Sequence, residues 1–570
     1  MGLLIDMDIY GRAISIIRGD DQAHFSIKAA VKIVSEFPDV KQYNLEAGFT
    51  PSGKVHLGNF GDILISESVK KVLEIRGYKA RTILAIDSRD PFRKIPVFLP
   101  DKFKKRAKQY IGMPLETIPD PYGCHNNFVE HFTEPLIDSL EKYGLYPKIV
   151  FADQIHGDDR YVALLRDVIV NREKVISIFN RIHESAGHAK RYPSTWIPYR
   201  PHCKNCGRID EKVTAIEVLN DGYMIKYKCQ HCGYEGIADI RRAEGKPPWR
   251  VDWVLRWVLF NVHFEPMGKD LMAAGSSYDT GGALIRELFG RRPPVTIFYD
   301  FFYWLEPNKQ PIKFSKRLGI GLGAHEWLKY APPEALNYML LKRHIGDIER
   351  DSLRHVDFSV YDIPKYVQRF DGDEEYSFEV LRRGNIESDE RKMVIAYFLS
   401  LKDPKKVMSR RIRRVPYNIA IEVALWMNSI DEGLKMLRRM KVLPPDARKE
   451  EIEDAKQRLL CASNYIKDYW KPPEIDIEKI IGSFSQTEKS MLRDVLEEVL
   501  SYCAEEISQE VIRSAIREHM SKYDIRPKDV YRMLYLVSLG KDTGPPAYRL
   551  FQKKFTRENL FKALYILRGT

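Results

Sequence analysis

The string Gly48-Phe49-Thr50-Pro51-Ser52-Gly53-Lys54-Val55-His56-Leu57-Gly58-Asn59 brings hydroxyls, glycines, an imidazole and an amide into one short stretch. Residues of these types at this density suit a phosphate. Gly53 and Gly58 let a ligand approach the backbone, because neither carries a Cβ. His56 offers a hydrogen bond, or a charge, to a phosphate that becomes more negative during transfer. The flanking elements serve the same end. Residues 43–49 read as a short buried strand, and Phe60, Ile63, Leu64, Val69, Val72 and Leu73 recur at helical spacing over residues 60–75. A turn between a parallel strand and a helix lies where open α/β sheets bind nucleotides. The helix start adds unpaired N–H groups for an anion. A lone histidine or glycine here would read as an ordinary surface turn.

The full string is more specific. Pro51-Ser52-Gly53, His56, Gly58 and Asn59 together resemble the first signature of the class I aminoacyl-tRNA synthetases, with Asn59 where that signature ends in histidine. The second signature of that family, a mobile Lys-Met-Ser-Lys-Ser loop, is matched by Lys313-Phe314-Ser315-Lys316-Arg317, followed by Gly319, Gly321 and Gly323. The order and the separation of the two strings are those of the family.

The chain has 570 residues, a prior for three to four domains, and a formal net charge of +12 that favours a polyanionic partner. No apolar run approaches the roughly 20 residues of a membrane helix. Residues 1–19 are mixed and carry Asp6 and Asp8, unlike a signal peptide. Four of seven cysteines form two Cys-x-x-Cys pairs and three are scattered, which fits a reducing cytoplasm and one metal site better than a disulfide framework. Those pairs, Cys203 with Cys206 and Cys229 with Cys232, frame alternating strand character over residues 214–228, with Gly207 and Gly233 as knuckle glycines. Two such knuckles predict a tetrahedral four-cysteine zinc site whose filled coordination shell makes the Zn2+ structural.

Ahead of the zinc segment, residues 79–86 read as a second strand running into the charged stretch Asp87 to Lys94, and residues 128–143 and 158–189 as helices. Cys124 and His125 read as structural or insertion-lining residues, because adjacency in sequence does not make a nucleophile and base meet. His183 and His188 read as solvated. Beyond the zinc segment come Trp249-Arg250-Val251-Asp252-Trp253, Trp257, then residues 264–270 and Gly275-Ser276-Ser277-Tyr278-Asp279-Thr280-Gly281. Carboxylates among aromatic rings suit a ligand with a cation on an apolar stem, provided each carboxylate finds a partner.

These segments, with Phe92 to Pro96, Pro119 to His125 and Glu130 to Phe132, resemble the class I lysyl-tRNA synthetases over about residues 40–325. Leu271 departs from that family, as do Phe314 and Arg317. The resemblance implies activation of L-lysine by ATP with Mg2+, followed by transfer to tRNA(Lys). It places His56 and Asn59, with Lys313 and Lys316, on the triphosphate, and Thr50, Pro51, Ser52, Gly53, Gly58 and Ser315 around ATP. Lysine would be held by Gly48, Asp252, Trp253, Tyr278 and Asp279, with Asp279 foremost for the ammonium.

From about residue 331 the pattern is amphipathic helices punctuated by Pro-Pro pairs. Its densest basic cluster, Arg410, Arg411, Arg413 and Arg414, is the expected RNA-phosphate contact. The expected organisation is a helical extension (1–42), a Rossmann-type α/β catalytic domain (43–90 and 246–310) and a connective insertion (91–245) with zinc knuckles at 200–237. A closing loop (311–330) and an α-helical anticodon-binding region (331–570) complete it. The expected state is a cytoplasmic monomer. Two alternatives stay open: a class I synthetase for another amino acid, and a non-catalytic tRNA-binding relative, which the altered second signature would suit.

Overall fold

Tyr43–Phe49 forms strand β1, buried along almost its whole length, as expected of a central parallel strand covered on both faces. Strand β2 (Ala80–Ile86) runs parallel to it, from Tyr43 opposite Ala80 to Phe49 opposite Ile86. Strand β3 (Lys148–Phe151) lies parallel beyond β2, and β4 (Val262–Phe264) lies parallel on the other side of β1. The order β3-β2-β1-β4 gives the doubly wound sheet, with its ligand-binding edge at the strands' carboxyl ends. A parallel bridge from Phe264 to Val295 and the short parallel pair Met267–Gly268 with Phe298–Tyr299 continue the edge past β4. The structure is a computed structural model that describes residues 8–189, 191–342, 346–347 and 355–569.

Helix α1 (Leu57–Ile75) links β1 to β2 and buries its apolar face on the sheet, pinned where the Ser66 hydroxyl donates to the Glu46 carbonyl. Two N-terminal helices, Ile9–Gly19 and Phe25–Glu36, brace α1 from behind. Ser26 and Ser68 share a buried hydroxyl contact, and Arg76 donates to the Ile17 carbonyl. The expected insertion (residues 91–245) is not wholly separate from the sheet, because β3 falls within it; the chain between β2 and β4 also carries further elements. Residues 159–185 form two helices, Asp159–Val170 and Arg172–Ser185, where one was expected; Asn171 leaves helical geometry between them. A three-stranded antiparallel sheet of Val213–Leu219, Met224–Cys229 and Glu235–Asp239 follows. Helices α2 (Trp249–Phe260) and α3 (Ser277–Phe289) then flank β4 in the chain.

The helical second half divides later than residue 331. One compact unit runs to Pro416 and a second from Tyr417. Asn337, in helix Pro333–Lys342, donates to the carbonyls of Tyr143 and Ser400. Buried amide bonds of that kind tie these helices into the first unit. Strand Val356–Phe358 pairs parallel with Phe302–Trp304, a non-local element that the helical pattern around it hid. The second unit is helical throughout its described residues, around a core that includes Met491, Val495, Ile512, Val530, Leu534 and Leu560. No helix among the described residues is long and apolar enough to cross a membrane.

Candidate active site

The two glycine-bearing loops meet at the carboxyl end of β1. A Cβ on Gly53 would lie 2.6 Å from the Lys316 carbonyl oxygen, and one on Gly321 would lie 3.0 Å from the His56 Cβ. Those approaches require glycine. Leu57 N–H donates to the Leu322 carbonyl at 2.8 Å, Lys54 pairs with Glu326 at 2.9 Å, and the Lys316 ammonium donates to the Thr50 carbonyl at 2.9 Å. Loop and turn are one structure although more than 250 residues separate them in the chain.

His56 caps α1. Its Nδ1 accepts from Gly58 N–H at 3.2 Å, while the Asn59 side-chain oxygen accepts from His56 N–H at 3.4 Å, a reciprocal capping box. This bond leaves the proton on Nε2. Burial, reinforced by Lys316 and Lys54, pushes the imidazole pKa down to about 3. The ring is therefore a neutral N–H donor at neutral pH, so of the two roles open to it in the sequence only the hydrogen bond remains. Phe314 is buried, with its ring centroid 5.5 Å from His56 and 5.7 Å from Phe302. An aromatic ring thus fills the methionine position of the second signature as packing. Ser315 and Ile320 exchange backbone hydrogen bonds across the loop tip, with Gly319 left-handed at φ +67°. Lys313 is exposed and lies over the Phe301 ring, 2.9 Å from its centroid.

Behind this face lies a bed of buried acids, of which the sequence pattern marked Glu265 but neither Glu46 nor Asp62. Arg256 donates to Glu46 at 2.9 Å and to Asp87 at 2.5 Å, yet Glu46 Oε2 has no partner. Glu265 accepts from the indoles of Trp253 and Trp257 at 2.8 and 2.5 Å, and burial raises its pKa to about 7. Asp62, inside α1, is pushed up to about 8 by burial, against a hydrogen bond from Tyr299 and the charge of Lys316, and its Oδ1 is unpartnered. A charged residue within a buried strand (Glu46) or on the apolar face of a helix (Asp62) was the readable signal, since such groups are costly without a partner.

The expected lysine residues sit differently from one another. Gly48 lies on β1, where a Cβ would be 3.0 Å from the Ala85 carbonyl. Trp253 is engaged with Glu265. Asp252 is buried and already held by His156 at 3.1 Å, by Tyr161 and by Lys246 at 3.5 Å. Although burial opposes it, the neighbouring His156 and Lys246 keep that carboxyl well below its ordinary range. Asp279, in the first turn of α3, accepts from Gly275 N–H at 2.9 Å, and the Tyr278 hydroxyl reaches the Pro294 carbonyl at 3.5 Å. Both acids therefore have protein partners of their own. Lys246, just after the four-cysteine segment, also reaches Asp90 at 2.6 Å, and Asp90 in turn accepts from the Thr50 hydroxyl at 2.8 Å. That chain of contacts runs from Lys246 through Asp90 to the glycine-bearing turn that follows β1.

Two clusters could hold a metal ion among the described residues. In the first, Cys203 and Cys232 sulfurs are 3.7 Å apart and those of Cys206 and Cys229 3.6 Å. A tetrahedron of sulfurs each about 2.3 Å from zinc has an edge of roughly 3.8 Å, so these spacings fit a shared ion; a disulfide would need about 2.05 Å. Gly207 and Gly233, left-handed at φ +71° and +76°, return N–H bonds to the Cys203 and Cys229 carbonyls. The second cluster is Asp120, Cys124, His125 and His131. Cys124 Sγ lies 3.1 Å from His125 Nδ1 and 3.3 Å from His131 Nδ1, and His131 lies 3.1 Å from Asp120. A thiol, a carboxylate and two imidazoles are a zinc-type donor set. Its irregular spacing concealed it in the sequence.

The basic cluster divides. Arg414 is locked to buried Glu374 at 2.8 Å, and Arg411 reaches Glu375 at 3.2 Å, whereas Arg410 and Arg413 are exposed. All four belong to the first compact unit.

A family model described as tRNA synthetases class I (K) matches residues 23–400. The lysine–tRNA ligase of Methanocaldococcus jannaschii is 30% identical over 537 residues, spanning 92% of this chain and 96% of that one. The lysine–tRNA ligase of Pyrococcus horikoshii is 30% identical over 535 residues, spanning 92% and 95%. A glutamate tRNA ligase structure from Elizabethkingia meningosepticum overlaps 92% of this chain and 99% of that chain at 15% identity, with a TM-score of 0.37.

Proposed function

The chain belongs to the class I (K) tRNA synthetases, and on that footing we propose that it ligates L-lysine to tRNA(Lys) at the expense of ATP. The supporting observation is the junction of two distant loops at the end of β1, where Gly53, Thr50 and His56 lie against Lys316 and Gly321. Such a junction can grip one triphosphate from two sides.

In the first step a lysine carboxylate oxygen attacks the α-phosphorus, and the bond to the bridging oxygen of pyrophosphate breaks. The enzyme contributes position and charge, with no covalent protein intermediate. His56 Nε2–H donates to the phosphate as charge grows on it, while the capping box fixes the ring. Lys316, at the carboxyl end of β1, and Lys313, on the exposed strand before the loop, draw charge toward the departing pyrophosphate. Mg2+ enters with ATP as part of the substrate. In the second step a terminal ribose hydroxyl of the tRNA attacks the carbonyl carbon and AMP leaves.

For the lysine ammonium the buried acids are better suited than Asp279 or Asp252. Glu46 and Asp62 each keep an oxygen without a partner, and a bound cation would satisfy either. Tyr299, hydrogen-bonded to Asp62, and the indoles on Glu265 would flank its stem. The four-cysteine cluster would hold a structural Zn2+, which folds the ribbon and leaves no coordination position for water; the Asp120–His131 cluster has donors for a second ion.

The test is ATP–pyrophosphate exchange with each of the twenty amino acids, with and without tRNA. Lysine alone should support exchange. Exchange with another amino acid would establish the first alternative, and none with any would establish a non-catalytic relative.

A further inference from the structure

The two lysines of the closing loop rest in different surroundings. The Lys316 ammonium lies on the Thr50 carbonyl, with Asp62, Asp87 and Asp90 as its charged neighbours. The Lys313 ammonium lies 2.9 Å from the centroid of the Phe301 ring, and its charged neighbours are Asp270, Lys269 and Asp300. Among the described residues Lys313 makes no side-chain hydrogen bond and no ion pair. Asp300 is already engaged: Lys269 pairs with it at 2.6 Å, and the Phe301 N–H donates to it at 2.6 Å. Lys269 itself stands 5.1 Å from the same ring. Burial and the charge of Lys269 lower the Lys313 pKa against the pull of Asp270 and Asp300. The backbone on either side is fixed. Lys313 pairs with Tyr303 in an antiparallel ladder, Phe314 N–H donates to the Phe302 carbonyl at 2.8 Å, and Val356 N–H donates to the Phe301 carbonyl at 2.9 Å. Only the Lys313 side chain is left to move.

We infer that Phe301 is a positioning residue whose ring parks the Lys313 ammonium until ATP draws it off, and takes it back when pyrophosphate leaves. A ring face attracts an ammonium through its quadrupole, but a triphosphate with several negative charges attracts it more strongly. An ion pair with Asp300 would hold Lys313 through turnover. Lys269 fills that place, and its like charge loosens the contact on the ring further. The Lys313 ammonium stands on a flexible four-carbon stem, so its transfer is a side-chain rotation. The loop backbone stays on the turn through the Leu57–Leu322 and Lys316–Thr50 bonds. Parking has a consequence for affinity, because a protein whose competent form is only partly populated binds its ligand less tightly by that fraction. Removing the ring should therefore strengthen the grip on phosphates. If Phe301 only packed its neighbours, the same change would weaken it.

This inference rests on the proposed charging reaction, and the two fail separately. Titration calorimetry of the full-length chain with Mg2+ and ATP, without lysine, should show about three- to tenfold tighter binding in Phe301→Leu, the range of a cation–π contact. Pyrophosphate should gain by a similar factor. Phe301→Tyr, which keeps a ring face, should bind both as wild type does. In a Lys313→Ala background, Phe301→Leu should change neither affinity. Unchanged or weaker ATP binding in Phe301→Leu would overturn the assignment, as would an equal gain in the Lys313→Ala background. Tighter ATP binding in Phe301→Leu that depends on Lys313, in a chain without lysine-dependent exchange, would refute charging and leave the parking role standing.

Discussion

At the end of β1 a methyl group added to Gly53 would strike a backbone carbonyl at 2.6 Å; in the helical unit the crowded glycines, Gly433 and Gly544, face only side chains, Met427 and Leu539. The difference separates two ways of building a site. Where two backbones must touch, residue identity is forced position by position and the sequence carries a fixed string. Where helices pack through side chains, many residues satisfy the same contact and function is dispersed. The glycine-bearing turn is thus recognisable from a few residues, while the ring contacts of Trp426 and Trp470 with Phe555 emerge only after folding.

Breaking the rigid region should cost most. Lys246→Met removes the buried cation that buried Asp252 and partly buried Asp90 share. Loss of one partner of such a pair costs about 3–5 kcal/mol, so chemical denaturation should show a drop of that size, with a raised KM for ATP through the freed Thr50. Unchanged stability would mean the contact chain from Lys246 to the turn is incidental.

Asp62→Asn should have the next largest effect. It should raise the KM for lysine by about ten- to a hundredfold, the range of a charge-assisted hydrogen bond of about 1.5–3 kcal/mol, and leave the KM for ATP unchanged. The pH dependence sharpens this. With its pKa raised to about 8, folded Asp62 holds a proton that the unfolded chain releases near pH 4. The stability it contributes is therefore complete at low pH and lost as pH rises through 8. An ammonium prefers the ionised form, so lysine affinity should increase over the same interval, by up to about tenfold per pH unit. Isothermal titration from pH 6 to 9 would reveal it, and Asp62→Asn should abolish the slope. A flat profile in the wild type would remove Asp62 from the lysine site.

Phe314→Met should do least. The ring is packing against Phe302 and His56, and a swap between apolar residues of similar size costs less than about 1.5 kcal/mol; pyrophosphate exchange should change only a few-fold. A collapse of activity would instead show that the aromatic contact positions His56.

The sequence was legible where local chemistry and periodicity coincide. Strand β1 and the end of α1 fall where the apolar pattern puts them, and the four cysteines meet as two knuckles because each Cys-x-x-Cys turn is a local structure. It was less legible wherever the decisive contact is distant. Asp252 and Asp279 look like free carboxylates in the chain, but their partners, His156 for one and the Gly275 amide for the other, are supplied by the fold. Glu46 and Asp62 read as breaks in apolar patterns, and only the orphaned oxygens mark them as ligand-ready. His131 joins Asp120 and Cys124 through a turn whose spacing matches no simple motif. Strand Val356–Phe358 depends on a partner some 50 residues earlier, and the boundary at Tyr417 depends on which unit buries the preceding helices.

On the proposed function, His56 and Lys316 act on one triphosphate. A double-mutant cycle in tRNA-supplemented, lysine-dependent pyrophosphate exchange tests it most directly. Each single alanine variant should lose about 10²–10³ in rate, and the double variant should lose far less than the product of the two, because residues that act as a unit are strongly non-additive. Losses that multiply independently would contradict a shared site.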